Sequence, residues 1–215
     1  MAFQNWHGNV FIECAILVNE QMNNTNDYYQ KNAIEYFQST VNIDVSLLYE
    51  RFVKYVPTGS QILDLGCGSG RDTKAFLNKG YVVDAIDGSA ELCKLASDYT
   101  GIQVKCMDLR QLDAVGEYNA IWACASLLHI SYKELPVVLS RIELALKTPG
   151  FVYMSFKHGD FEGIRDERYY TDMTPERMAA IIVKTNALCI IEEWYSEDVR
   201  EDTIVKWYNV ILRKS

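Results

Sequence analysis

The 215-residue chain has no apolar run long enough to span a bilayer. The stretch that comes nearest, VFIECAILV at residues 10–18, is broken by Glu13 and falls far short of the ~20 residues a membrane helix needs. It carries neither a basic leader nor a small-residue cleavage site, so it does not read as a secretory signal. An excess of basic residues is also missing: Lys plus Arg is 21 against 29 for Asp plus Glu, a net charge of −8. Such a surface repels phosphate backbones and disfavours a nucleic-acid partner, unless a local basic groove is present. The six cysteines, Cys14, Cys67, Cys93, Cys106, Cys124 and Cys189, form no C-x-x-C pair. Neither a metal ribbon nor a redox dithiol is therefore expected, and the residues offer no metal site. The thiols are expected to be mostly buried and reduced, in a cytoplasmic protein. Internal repeats and low-complexity tracts are absent too.

What remains is a globular composition, 49% hydrophobic and 23% charged, in a chain of one-domain length. A chain this size buries roughly 70% of its unfolded surface and needs no staple to hold a core. Residues 1–27 stand apart. The apolar run is followed by the polar tract NEQMNNTND, which reads as an extension and linker, with Met22 as an alternative start. The domain is expected over residues 28–215.

Helical spacing of apolar residues is seen over 28–38 and 44–55, the latter stopped by Pro57-Thr58-Gly59. Short strands are expected at 61–65, 81–86, 102–106, 118–123, 150–156, 187–195 and 204–212. Between them lie helix signals: Gly80 as a C-terminal stop, Ser89 as an N-cap, Ser131 with Glu134 as a capping box for a helix to about Lys147, and Thr174-Pro175 opening a helix to about Asn186. Alternating strands and helices predict an α/β fold with a mainly parallel sheet. The last two strands lack a helix-length spacer, so one edge strand is expected to be antiparallel. Residues 157–172 show no clear periodicity and follow a strand end, the place for a lid or binding loop.

The most specific signal is Leu63-Asp64-Leu65-Gly66-Cys67-Gly68-Ser69-Gly70, a strand running into a glycine-rich turn that opens a helix. Its spacing is G-x-G-x-G, whereas a dinucleotide fingerprint is G-x-G-x-x-G, which weakens a nicotinamide or flavin reading. Asp64 adds a carboxylate just before the turn. Asp87 ends the second strand and can accept hydrogen bonds from two ribose hydroxyls; it could equally cap the turn Asp87-Gly88-Ser89.

LDLGCGSG resembles the first motif of class I S-adenosylmethionine-dependent methyltransferases, and within that class the chain looks most like small bacterial enzymes of the tellurite-resistance type. The resemblance covers about residues 28–215. It implies a three-layer α/β/α Rossmann-like fold of seven strands in the order 3-2-1-4-5-7-6, with the seventh antiparallel. It implies S-adenosylmethionine as cofactor and S-adenosylhomocysteine as product. The cofactor-binding positions it implies are Asp64, Gly66, Cys67, Gly68 and Gly70 on the loop, Asp87 and Gly88 at the ribose, Asp108 and Leu109 at the adenine, and Ala123 near the methionine end.

His129 follows the fourth strand and is the acid-base candidate of that segment, or a packing histidine. Cys124 beside it reads as packing, since methyl transfer needs no covalent enzyme intermediate. Lid or acceptor contacts are expected from Tyr28, Tyr29 and Tyr36 in the first helix and from Lys157, Arg165, Tyr169 and Tyr170 in the 157–172 segment. The expected reaction is methyl transfer to a nucleophilic atom of a small-molecule acceptor. A tRNA or protein acceptor and a catalytically silent cofactor-binding protein are the alternatives.

Overall fold

The computed structural model describes residues 25–198 and 205–215. Most of the expected N-terminal extension, with Met22 and Cys14, lies outside the described residues. The boundary expected between residues 27 and 28 falls inside helical residues 25–31, and Thr25 is already buried.

Those helical residues lead into α1 (Ala33–Thr40) and α2 (Ser46–Phe52). Then come β1 (Gln61–Leu65), α3 (Arg71–Asn78), β2 (Val82–Asp87), α4 (Ala90–Thr100), β3 (Lys105–Cys106), β4 (Tyr118–Ala123), α5 (Leu135–Ala145) and β5 (Leu146–Lys157). The chain ends with β6 (Glu162–Arg165), β7 (Arg168–Thr171), α6 (Pro175–Ile182), β8 (Leu188–Glu197) and β9 (Lys206–Lys214). One-turn 3-10 helices stand at Leu109–Gln111 and Leu127–His129.

Seven strands form one sheet in the order β3-β2-β1-β4-β5-β9-β8. The strands from β3 to β5 are parallel, and β9 lies antiparallel to both β5 and β8. With the β6–β7 hairpin set aside, this is the order the resemblance implied. Strand order reverses between β1 and β4, so the loops leaving their C-terminal ends run to opposite faces of the sheet and leave a crevice.

Both faces of the sheet are covered, which is why its strands read as continuous apolar runs. Ile62, Ala120, Trp122 and Tyr153 face Phe52 of α2 and Phe76 of α3. Leu63, Leu65 and Ile121 face Val138, Leu139 and Ile142 of α5 and Met178 of α6. Trp122 and Tyr153 stack with centroids 3.9 Å apart. The Trp122 indole N–H donates to Asp72 at 2.7 Å, as does the Tyr49 hydroxyl at 2.5 Å. Ser89 and Thr174 cap their helices as expected, accepting from Leu92 and Arg177.

Four expectations fail. Residues 157–172 are not irregular: they contain the β6–β7 hairpin, with Arg165 opposite Arg168. Its two-residue turn, Asp166-Glu167, has positive φ at both positions, where sequence usually announces itself by Asn-Gly. Ser131 and Glu134 do not cap α5. The Ser131 hydroxyl donates to the Glu134 carboxylate at 2.6 Å, and the helix starts only at Leu135. The third strand shrinks to Lys105–Cys106. Finally, of the five described free thiols only Cys67 and Cys93 are buried, while Cys106 and Cys189 are exposed.

Candidate active site

β1 delivers the chain into Gly66-Cys67-Gly68-Ser69-Gly70 at the crevice, with φ of +83°, +54° and +77° at the three glycines. These are left-handed conformations that a side chain would strain. A Cβ on Gly66 would lie 2.4 Å from the Cβ of Ser126, and one on Gly68 would lie 3.1 Å from the Tyr36 ring. Gly70 has a different use. A Cβ there would meet Thr100 at 2.8 Å and Ala96 at 3.1 Å, so this glycine lets α3 close onto α4.

Asp87, at the end of β2, is fixed by the loop it faces. One carboxylate oxygen accepts from the Gly68 N–H and the other from the Ser89 N–H, both at 2.9 Å. Burial raises its pKa, against the pull of those N–H groups. Each oxygen keeps acceptor capacity for a further donor.

A cleft, part of it open to solvent, lies over these residues. Of the expected positions, Gly66, Gly68, Asp87, Gly88, Asp108, Leu109, Tyr29, Tyr36 and His129 line it. Asp64, Cys67, Gly70, Ala123, Tyr28, Lys157, Arg165, Tyr169 and Tyr170 do not. Asp64 sits beneath the loop instead, accepting from the Thr73 hydroxyl at 2.5 Å and so tying β1 to α3. Burial, and then the nearby Asp72 charge, raise its pKa. Asp108 is partly committed: its oxygens take the Arg110 N–H at 2.8 Å and the Arg110 guanidinium at 2.6 Å. Burial opposes its ionisation, but these bonds outweigh it and hold the carboxyl below its usual range.

His129 is buried at the other end of the cleft. Its Nδ1 lies 2.7 Å from the Tyr169 backbone carbonyl and its Nε2 lies 2.9 Å from the Tyr29 hydroxyl. A carbonyl only accepts, so Nδ1 carries the proton, and Nε2 takes the hydrogen of Tyr29. Burial lowers the imidazole pKa to about 4, helped by the charges of Arg168 and Lys157 and opposed by the Tyr169 carbonyl. The ring is neutral at pH 7.

Sequence reasoning missed Thr25, Asn26, Leu92, Ala125 and Ser126, all of which line the cleft. Thr25 accepts from the Tyr169 N–H at 2.9 Å, so one residue of the hairpin has its N–H and its carbonyl taken by two cleft side chains. Nothing local in the polar tract around Thr25 signals a partner 144 positions away.

A sheet of this order, with a glycine loop at its switch point and an acid closing β2, has the Rossmann-like fold of S-adenosylmethionine-dependent methyltransferases. Residues 62–150 match the family model of a methyltransferase domain, so that part of the chain carries a methyltransferase domain. The match is to a general methyltransferase domain and lends no support to the narrower tellurite-resistance type.

Solved structures share the fold. An S-adenosylmethionine-dependent methyltransferase of Methanosarcina mazei superposes with a TM-score of 0.69 at 17% identity, over 77% of this chain and 97% of that one. The 1,6-didemethyltoxoflavin N1-methyltransferase of Burkholderia thailandensis, with its acceptor and S-adenosylhomocysteine bound, gives 0.67 at 19% identity over 95% and 90%. The magnesium protoporphyrin IX methyltransferase of Synechocystis PCC 6803, with S-adenosylhomocysteine bound, gives 0.70 at 15% identity over 88% and 97%. No curated protein matches the chain significantly. Among the described residues, no helix is long and apolar enough to cross a membrane, and no cluster of His, Cys, Asp and Glu is placed to hold a metal ion.

Proposed function

We propose that the protein transfers the methyl group of S-adenosylmethionine to a nucleophilic atom of a small-molecule acceptor in the cytoplasm, leaving S-adenosylhomocysteine. The observation that carries this reading is the shared cleft. At one end stands Asp87, fixed by two backbone N–H groups; at the other stands the Tyr29–His129 pair; the glycine loop joins them.

The residues fit the cofactor. Gly66 and Gly68 leave a cradle that Cβ atoms would fill, and Ser126 Oγ, on the cleft wall, is a buried side-chain oxygen with no partner of its own. Asp87 and Gly88 would hold the ribose, and Asp108 with Leu109 the adenine. Asp64, Cys67, Gly70 and Ala123 would act from behind, by shaping the loop. The cofactor supplies a methyl group already attached to a good leaving group, so the chain's work is alignment and water exclusion.

Tyr29, Tyr36 and Asn26 close the cleft from the N-terminal helix. Because His129 Nε2 already takes the Tyr29 proton, His129 is not itself the base. It is a positioning residue that fixes the Tyr29 hydroxyl, whose oxygen accepts from Arg168 and keeps a second lone pair that can accept a hydrogen bond from the acceptor.

A cleft narrowed by Tyr29 and Tyr36 and a net charge of −8 favour a small acceptor over RNA. The five described unpaired thiols favour a reducing compartment. The test is twofold. Calorimetry asks whether the protein binds S-adenosylhomocysteine. Cofactor with a labelled methyl is then supplied with separated small-molecule, RNA and protein fractions of a cell extract. Label in the small-molecule fraction supports the reading; label in RNA or protein overturns the acceptor class.

A further inference from the structure

Arg168, on β7, is a cation held by rings rather than by a carboxylate. Its guanidinium lies 4.5 Å from the centroid of Tyr28, 5.9 Å from that of Tyr29 and 5.5 Å from that of Tyr170. Among the described residues no carboxylate forms an ion pair with it; it donates to the Tyr29 hydroxyl, and its Nε bond to the Asp166 carbonyl is long at 3.4 Å. The neighbouring Arg165 contrasts with it, since Asp172 neutralises that guanidinium at 2.9 Å. Lys157 lies 4.4 Å from the Tyr170 ring centroid, and that ring packs 5.0 Å from His129.

Arg165 also lies 5.4 Å from the Tyr170 centroid, so three cations surround this ring, which packs behind the Tyr29–His129 end of the cleft in a chain whose net charge is −8. The loop end differs: there Arg71 neutralises Asp72 and Arg110 neutralises Asp108, and Asp87 is a cleft carboxylate held by backbone N–H groups alone. Positive potential reaches the His129 imidazole, whose protonation both Arg168 and Lys157 oppose. Aromatic faces hold the guanidinium in place, and the in-plane N–H donors that the Tyr29 hydroxyl and the Asp166 carbonyl do not take are left to match the two oxygens of an oxyanion.

We infer that the methyl acceptor carries an oxyanion, carboxylate or phosphate, which Arg168 binds while the reacting atom lies against Tyr29. Arg168 is on this account a specificity-determining residue, and the inference rests on the methyltransferase reading above.

The experiment splits a small-molecule extract on an anion exchanger. The retained and flow-through pools are each incubated with the full chain and cofactor bearing a labelled methyl. The wild type should label the retained pool, R168Q should cut that labelling at least tenfold, and R168K should recover part of it. All three should bind S-adenosylhomocysteine alike. Phosphatase treatment of the retained pool separates the sources: labelling that survives assigns a carboxylate, and labelling that is lost assigns a phosphate. Labelling confined to the flow-through pool, or an R168Q variant as active as wild type, overturns the inference. A wild-type protein that fails to bind S-adenosylhomocysteine would instead strike the reading beneath it.

Discussion

Tyr29 and His129 meet with hydroxyl and imidazole 2.9 Å apart, a hundred positions distant in sequence. The tautomer that makes this contact is set on the far side of the ring by the Tyr169 carbonyl. The N-terminal helix, the end of β4 and the hairpin are thereby joined through one buried imidazole.

Separating the two roles is direct. Tyr29→Phe should lower kcat by about 10–100-fold, within the range of a lost acid-base or orienting contact, while the affinity for S-adenosylhomocysteine stays within about threefold. It should cost only ~1 kcal/mol of stability. His129→Ala removes both hydrogen bonds and a buried ring, so it should cost about 2–4 kcal/mol in denaturant unfolding. A Tyr29→Phe variant with wild-type kcat would remove Tyr29 from the chemistry.

Asp87→Ala should weaken binding of S-adenosylhomocysteine by about 1–3 kcal/mol, because it removes a charged acceptor. Calorimetry reads this directly, and unchanged affinity would refute the ribose assignment.

The acid limb of stability carries a signature of His129. Its folded pKa, about 4, lies below the ordinary histidine value of 6.5, so the unfolded chain binds this proton first. The neutral histidine's contribution is complete above pH 6.5 and is lost as pH falls from there towards 4, by up to roughly 3 kcal/mol. Asp64 and Asp87, whose pKa values are raised, tilt the curve the other way in the same range. The measurable quantity is therefore the difference between wild type and His129→Gln in unfolding free energy from pH 7 to pH 4.5. Wild type should lose more.

Two glycines with the same φ of +83° separate strain from collision. Gly101 has nothing within 4 Å of a built Cβ, whereas at Gly66 that atom would stand 2.4 Å from Ser126. Gly101→Ala should cost about 1 kcal/mol from backbone strain alone. Gly66→Ala should cost about 3 kcal/mol or more and abolish cofactor binding. Equal melting temperatures for the two would contradict the account.

The parts of the site legible in sequence were those set by local rules. The apolar QILDL run, the glycine turn and the acid at the end of β2 lie within one strand–turn–helix–strand unit, and there expectation and structure agree to within a residue or so. The sheet order came by resemblance and stands. The hairpin was illegible because Asp166-Glu167 carries no glycine or asparagine to mark its turn. Thr25 and Asn26 were illegible for another reason. Their roles depend on tertiary neighbours, the Tyr169 N–H and Gly88, that no periodicity encodes. The same is true of Cys106 and Cys189, whose apolar neighbours in sequence suggest burial although both lie on the surface.

The Tyr36 ring fills the space beside Gly68, and the Asn26 amide fills the space beside Gly88. Residues 25–40 therefore lean on the loop that a nucleoside must pass. A spent cofactor leaving over that loop has to lift this helix, and a fresh one has to let it settle again. The enzyme's clock is then wound partly by how firmly two side chains grip two glycines, so that loosening Asn26 or Tyr36 would quicken product release even as it loosened the seal against water.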